Sequence, residues 1–249
     1  MQHRIEHLLE PQRLYLAWQA PDHLGDRVRW AVGVVERNDA VCSLRYFQSD
    51  REFEAVNQGR SVEDLRPLGF AGYPGFAWKD RVYTDGVLEA FLRRIPPRDR
   101  SDFSAYLEQF RLPDDRQISD FALLAYTGAK LPSDGFSLVD PLDADAETCD
   151  LLIEIAGFRY YGGELQPGDP VRFEREPENN KDPQAVAVLQ ANNDGYRVGY
   201  VNRLKAPTFA RWLENRQVSG VIERLNGNPE RPRAFVFVTV RPLNRAAAA

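Results

Sequence analysis

Gly168-Asp169-Pro170-Val171-Arg172-Phe173-Glu174-Arg175-Glu176-Pro177-Glu178-Asn179-Asn180-Lys181-Asp182-Pro183-Gln184-Ala185-Val186-Ala187-Val188, with Val198-Gly199-Tyr200-Val201-Asn202-Arg203 downstream, decides how the second half of the chain is read. The apolar, β-branched segments 171–173, 185–189 and 197–201 predict short strands. Between the first two, Asn179-Asn180-Lys181-Asp182-Pro183 predicts a turn, because Asn and Asp side chains bond their own backbone. Outward from this centre, 151–158, 218–225 and 234–240 also read as strands. One strong helix, 204–216, interrupts them, with Phe209, Trp212 and Leu213 as its apolar face. About a hundred residues of short strands around a single main helix fit a small, partly open barrel.

The first half reads differently. Segments 14–18, 28–35 and 42–47 are strand-like, and a helical segment follows at 51–57. The stretch Pro67-Leu68-Gly69-Phe70-Ala71-Gly72-Tyr73-Pro74-Gly75-Phe76 breaks regular elements while its aromatics call for burial, so it predicts an ordered loop. Three helices are expected next. The first carries Val87, Leu88, Phe91, Leu92 and Ile95 behind a Thr84 or Asp85 cap. The second carries Phe103, Tyr106, Leu107 and Phe110. The third carries Phe121, Leu124 and Ala125 behind Ser119 or Asp120 and closes at Gly128. A strand returns at 135–139. The acidic, proline-containing run from Asp140 to Glu147 is the best candidate linker. The fold class is therefore α+β: an α+β domain over 1–142 with short strands and three helices, a linker at 143–150, and a β-barrel with one main helix over 151–245.

Composition bounds the function. The 249 residues are 43% hydrophobic and 28% charged, which is ordinary for a globular protein. No apolar run approaches the roughly 18 residues of a membrane span, and the N-terminus shows no secretory pattern, so a cytoplasmic location is expected. Cys42 and Cys149 stand far apart, and His3, His7 and His23 cluster at one end. That inventory builds neither a usual zinc site nor a disulfide framework, and no metal or cofactor is expected. With no histidine beyond 23, most Ser/His and Cys/His nucleophile arrangements are also removed, and no catalytic residue is assigned. The net charge of −5 hides an asymmetry: from 151 onward 14 Lys+Arg face 11 Asp+Glu, a net of +3, while residues 1–150 carry −8. Opposite signs suggest domains with different partners.

The second half is similar to a known module. Ala156-Gly157-Phe158-Arg159-Tyr160-Tyr161-Gly162-Gly163, the Arg175-Glu176-Pro177 to Ala185 turn, and Val198-Gly199-Tyr200 before a helix resemble, in order and spacing, the HIRAN domain. The resemblance covers about 90 residues, 151–240. It implies an OB-like barrel that grips the 3′ end of single-stranded DNA, in a family found beside helicase or nuclease modules in replication and repair proteins, or alone in bacteria.

Seven residues are singled out as candidate nucleic-acid contacts: Arg159, Tyr160, Tyr161, Lys181, Asp182, Tyr200 and Arg203. Bases of an unpaired strand stack on aromatic faces while cations follow the phosphates. Arg159, Tyr160 and Tyr161 fall at a strand end before Gly162-Gly163, where a regular strand points neighbours to opposite faces. Read from the residues alone, such tyrosines are core or rim residues before they are a binding surface. Asp182 is either a turn cap or, as the resemblance implies, the acceptor for a terminal 3′-hydroxyl. Lys181 stands where many family members carry an aromatic, exchanging a stacking surface for a phosphate contact. Tyr200 offers another ring, and Arg203 a phosphate contact at the helix start. Phe235 and Phe237 share a face of the last strand and read as core.

Within the first half, 85–95, 103–110 and Ile118-Ser119-Asp120-Phe121-Ala122-Leu123-Leu124-Ala125-Tyr126-Thr127-Gly128-Ala129 resemble the small, non-catalytic N-terminal subdomain of HipA-type kinases. This implies a protein-docking role, with a partner of kinase, helicase or nuclease type, and no phosphoryl transfer. The leading expectation is a non-enzymatic protein that binds single-stranded DNA at 3′ ends and docks a protein through its acidic N-terminal domain. The alternative is a regulatory or toxin–antitoxin-type interaction module without DNA binding.

Overall fold

A computed structural model of the chain describes residues 3–24, 28–39, 41–114, 118–131, 134–161, 164–192 and 195–243. The chain divides into two compact units, one of Glu10–Tyr106 with Arg116–Pro141, the other of Met1–Leu9, Leu107–Asp115 and Leu142–Ala249.

In the first unit, β1 (Arg13–Gln19), β2 (Arg29–Asn38), β3 (Val41–Tyr46), β6 (Val82–Tyr83) and β7 (Phe136–Val139) form an antiparallel sheet in the order β6-β3-β2-β1-β7. Helices α1 (Asp50–Val56), α2 (Val87–Leu92) and α4 (Asp120–Thr127) accompany it, and α3 (Phe103–Gln109) runs across the division between units. The Gly/Pro/aromatic loop holds a small hairpin, β4 (Gly72–Tyr73) with β5 (Phe76–Ala77), and Phe70, Tyr73 and Phe76 are buried. The hydroxyl of Tyr46 ties it down, donating to the Phe76 carbonyl at 2.6 Å and accepting from the Tyr73 amide at 2.7 Å. Helix α4 starts at Ser119, whose hydroxyl accepts from the Ala122 amide, and stops at Gly128 in the left-handed region. Helix α2 differs from expectation. Its N-cap is Gly86, not Thr84 or Asp85, and no side chain caps it.

The second unit holds a six-stranded antiparallel sheet in the order β11-β10-β9-β12-β13-β8. Its strands are β8 (Cys149–Glu154), β9 (Pro170–Arg175), β10 (Val186–Gln190), β11 (Arg197–Tyr200), β12 (Arg216–Asn228) and β13 (Arg231–Pro242). Helix α6 (Ala206–Asn215) buries Phe209 and Trp212, and Phe209 packs edge-on against Phe173 at 5.4 Å. Strands β8 and β11 are the two edges of this sheet, yet the chain just beyond β8 bonds to β11. Ala156 and Tyr200 exchange both backbone hydrogen bonds, at 2.8 and 2.9 Å. The sheet therefore curls until its edges meet, the arrangement expected of a small barrel. Gly199 permits this closure. Its φ is +147°, and a Cβ there would lie 2.4 Å from Ile155 Cγ2 and 2.5 Å from the Ala156 carbonyl.

Two segments near the chain's expected divisions are held by distant partners. The acidic segment 143–150 is fixed to the second unit: Trp212 donates to the Asp143 carbonyl, Arg216 to the Ala146 carbonyl, and Cys149 and Asp150 are already in β8. The N-terminal residues are also held there. Asp150 accepts from the amides of Glu6 and His7 and from His7 Nδ1, all at 3.0 Å, while Arg241 donates to its other oxygen at 2.7 Å. Ile5 is buried and bonds to the Arg111 carbonyl, and the His3 ring stacks on Phe237. No local pattern announces pairing across some 140 positions.

Two outcomes follow from this packing. Gly199→Ala combines a φ disfavoured for L residues with two sub-contact distances and should cost about 2–3 kcal/mol, lowering Tm by roughly 5–10 °C in a thermal melt. A melt within 1 °C of wild type, taken as about the noise of such a series, contradicts the closure account. Burial by itself would raise the Asp150 carboxyl, but hydrogen bonds from Arg241, His7 and the Glu6 and His7 amides outweigh it and hold the group below the usual carboxylate range. The stability it contributes is thus present above the unfolded carboxyl value of about 4 and lost as pH falls through the lower folded value. Asp150→Asn should cost about 2 kcal/mol at neutral pH, and the difference from wild type should shrink in denaturant titrations taken below pH about 4.

Candidate functional site

The closure point places the candidate residues. Beyond Ala156 the chain turns at Gly157, with φ +76°, into a single helical turn, α5 (Phe158–Tyr161). This corrects the expected strand end at Arg159-Tyr160-Tyr161. The run is rich in residues that favour strands, but β8 stops at Glu154 and Tyr160 N bonds back to the Gly157 carbonyl at 2.8 Å. A helical turn removes the opposite-face constraint. The Tyr160 and Tyr161 rings both come within 4.0 Å of the point a Gly157 Cβ would occupy. Gly162-Gly163, which follow, lie outside the described residues.

Tyr160 is the most exposed large hydrophobic side chain of this region, at 70%. The Arg159 guanidinium covers its ring at 4.4 Å and donates to its hydroxyl. Tyr161 is half-buried and meets the Tyr200 ring edge-on at 5.7 Å. Its carbonyl accepts from the Tyr196 hydroxyl at 2.6 Å. Arg197 lies 5.9 Å from the Tyr161 ring and 5.3 Å from that of Tyr200. Sequence reasoning missed Arg197, because three positions along a regular strand separate faces. The pairing of β10 with β11 slips by one residue between Val188 and Leu189, and this bulge returns Arg197 to the side of Tyr200.

Glu176 organises the inner half of the site. It is paired with Arg197 and accepts from the Tyr200 hydroxyl at 3.0 Å and from Asn179 Nδ2 at 2.9 Å. Burial, then hydrogen bonding with Tyr161 and Glu176, pushes the Tyr200 phenol well above the usual tyrosine range, so it stays a neutral donor. Asn179 carries the turn onward, its Oδ1 accepting from the Lys181 and Asp182 amides at 2.9 and 3.2 Å. Asp182 has the capping role expected of a turn aspartate: Oδ1 accepts from the Gln184 amide at 2.9 Å. Lys181 is exposed and Asp182 half-buried. Arg203 is half-buried in the turn between β11 and α6.

Tyr161, Tyr200, Arg197, Glu176 and the 179–182 turn thus form one connected group beside the outward pair Arg159–Tyr160. Among the described residues no cluster of three or more His, Cys, Asp or Glu side chains is placed to hold a metal. No helix there is long and apolar enough to cross a membrane. Burial pushes the Cys42 thiol up to about 11, which makes it a poor nucleophile.

Residues 150–240 match the family model of the HIRAN domain. A helicase-like transcription factor from Mus musculus is 29% identical over 156 residues, covering 59% of this chain and 13% of that protein. Its counterpart from Oryctolagus cuniculus is 31% identical over 99 residues, covering 37% of this chain and 9% of its own. The chain therefore spans only a small part of these relatives. Among solved structures, the crystal structure of the HIRAN domain of human HLTF is 24% identical with a TM-score of 0.31, covering 36% of this chain and 74% of that one. The NMR structure of the HLTF HIRAN domain in its DNA-bound conformation is 25% identical with a TM-score of 0.28, at the same coverage. Residues 150–240 form a HIRAN domain. The HipA-like resemblance of the N-terminal half gains no support from these comparisons.

The geometry separates the tyrosines by consequence. Tyr160→Ala should change stability by no more than about 0.5 kcal/mol, as for an exposed side chain. Tyr200→Phe removes a hydrogen bond to a carboxylate and should cost about 1.5–3 kcal/mol. Chemical denaturation of the two variants checks the order; equal losses would contradict it.

Proposed function

We propose that the chain is a non-enzymatic, single-stranded DNA-binding protein whose HIRAN domain takes a 3′ end at the Arg159–Tyr161 site. The exposed Tyr160 ring under the Arg159 guanidinium carries the reading, because an outward aromatic with a cation beside it is the pair a base and its phosphate require. The HIRAN match over 150–240 and the DNA binding it implies support the same choice. Tyr160 stacks the terminal base, Tyr161 and Tyr200 line the inner wall, and Lys181 and Arg203 contact phosphate. Asp182 Oδ2, which makes no hydrogen bond among the described residues, accepts from the terminal 3′-hydroxyl. The first unit docks a protein partner.

One observation favours a second reading, a protein-interaction module without DNA binding. The Arg197 charge is matched by Glu176, so the inner wall offers little net positive charge. Fluorescence anisotropy of labelled oligonucleotides across a salt series separates the two. DNA binding predicts affinity that weakens with salt, drops at least about tenfold when the 3′-hydroxyl is replaced by phosphate, and falls about 5- to 150-fold in Tyr160→Ala. Absence of binding at low salt overturns it and leaves the interaction module.

A further inference from the structure

Most described arginines of the second unit sit against a carboxylate. Arg111 donates to Glu223 at 2.5 Å, Arg233 grips Glu154 through two bonds of 2.7 Å, and Arg241 holds Asp150. Arg224 is different. Among the described residues no carboxylate lies within 4 Å of it; Nη1 donates to the Gln109 carbonyl, and the buried Nε has no hydrogen-bond partner. Its guanidinium lies 4.4 Å from the Phe235 ring, which Arg233 shares at 5.1 Å. Phe235 is therefore a half-buried platform for two cations and not the core residue its spacing suggested.

The fold sets this up. The β12–β13 register slips between Ile222 and Arg224, so Glu223 turns inward to Arg111 and His3 while Arg224 is brought opposite Phe235. Burial, and then the neighbouring Arg111 and Arg233 charges, make Arg224 a weaker base than an ordinary arginine. A guanidinium crowded by like charges and short of an acceptor is the setting that an incoming anion relieves. With Nε buried and Nη1 on Gln109, Nη2 is the donor left to meet a phosphate oxygen. Arg159, the cation of the proposed DNA site, shows the same pattern, stacked at 4.4 Å on its aromatic neighbour and with no carboxylate partner among the described residues. Five residues lead from Glu154, the partner of Arg233, to Arg159, a span of at most about 17 Å, which sets the Arg233 end of this cation pair near the Arg159 site.

We propose that Arg224, stacked on Phe235 beside Arg233, is a second phosphate site, binding the backbone of the strand whose 3′ end occupies the Arg159–Tyr161 site. This rests on the DNA-binding reading above. The test uses the full chain, with Arg224→Gln and Arg224→Met (the latter keeping an apolar stem on Phe235), and titrates a trinucleotide and a dodecamer, both with free 3′-hydroxyls, across a salt series. Both variants should bind the trinucleotide within about twofold of wild type. They should bind the dodecamer about 3- to 10-fold more weakly, with the slope of log affinity against log salt reduced by about 0.7. If wild type binds both oligonucleotides and the dodecamer slope is unchanged in a folded variant, the second site is overturned while the 3′-end site stands. Equal losses on both lengths also overturn it. If wild type binds neither, the DNA-binding reading fails and this proposal with it.

Discussion

The backbone exchange between Ala156 and Tyr200 is the contact on which the second unit depends. It joins the two edges of a six-stranded sheet at one point and so curls the sheet into a half-barrel. It also fixes where chemistry sits. Tyr200 is a closing residue, so its side chain is held at the seam, and the chain leaving Ala156 must turn at once into the α5 helical turn that carries Arg159, Tyr160 and Tyr161. Gly199 makes the approach possible by presenting no side chain where Ile155 and Ala156 pass. One seam thus serves as structural lock and as platform for the candidate site.

Charge pairing explains which part of that platform faces outward. Glu176 is matched by Arg197 and bonded by Tyr200 and Asn179, so the charge of the inner wall is largely taken up within the site. Among the described residues Lys181, Arg159 and Arg224 lie outside such pairings, and two of them lean on aromatic rings. A weak net positive charge over this half is consistent with binding through a few well-placed cations and ring faces, in place of a broad basic surface.

Much of this was legible in the sequence, for identifiable reasons. The strands of the second unit and helix α6 follow from local pattern, and the Val198-Gly199-Tyr200 and Asn179–Asp182 motifs lie in the connected group beside the seam. What escaped was set by distant partners or by a one-residue slip. The Phe158–Tyr161 run has strand propensity but becomes a helical turn because the seam ends the strand before it. Arg197 and Arg224 reach their rings through β-bulges, which invert the face expected from alternation. The N-terminal residues are held by Asp150, and the acidic 143–150 segment by Trp212 and Arg216, through contacts that leave no local trace.

The central claim is that an unpaired 3′ terminus rests on the tyrosines beside the seam. Titrating the protein, with its tyrosine rings carbon-13 labelled, against a short oligonucleotide bearing a free 3′-hydroxyl reads that contact directly by NMR. The account predicts saturable upfield shifts of the Tyr160 ring, with smaller changes at Tyr161 and Tyr200, as a base stacks over them. Unmoved resonances for these three rings, or shifts confined to tyrosines of the first unit, would contradict it.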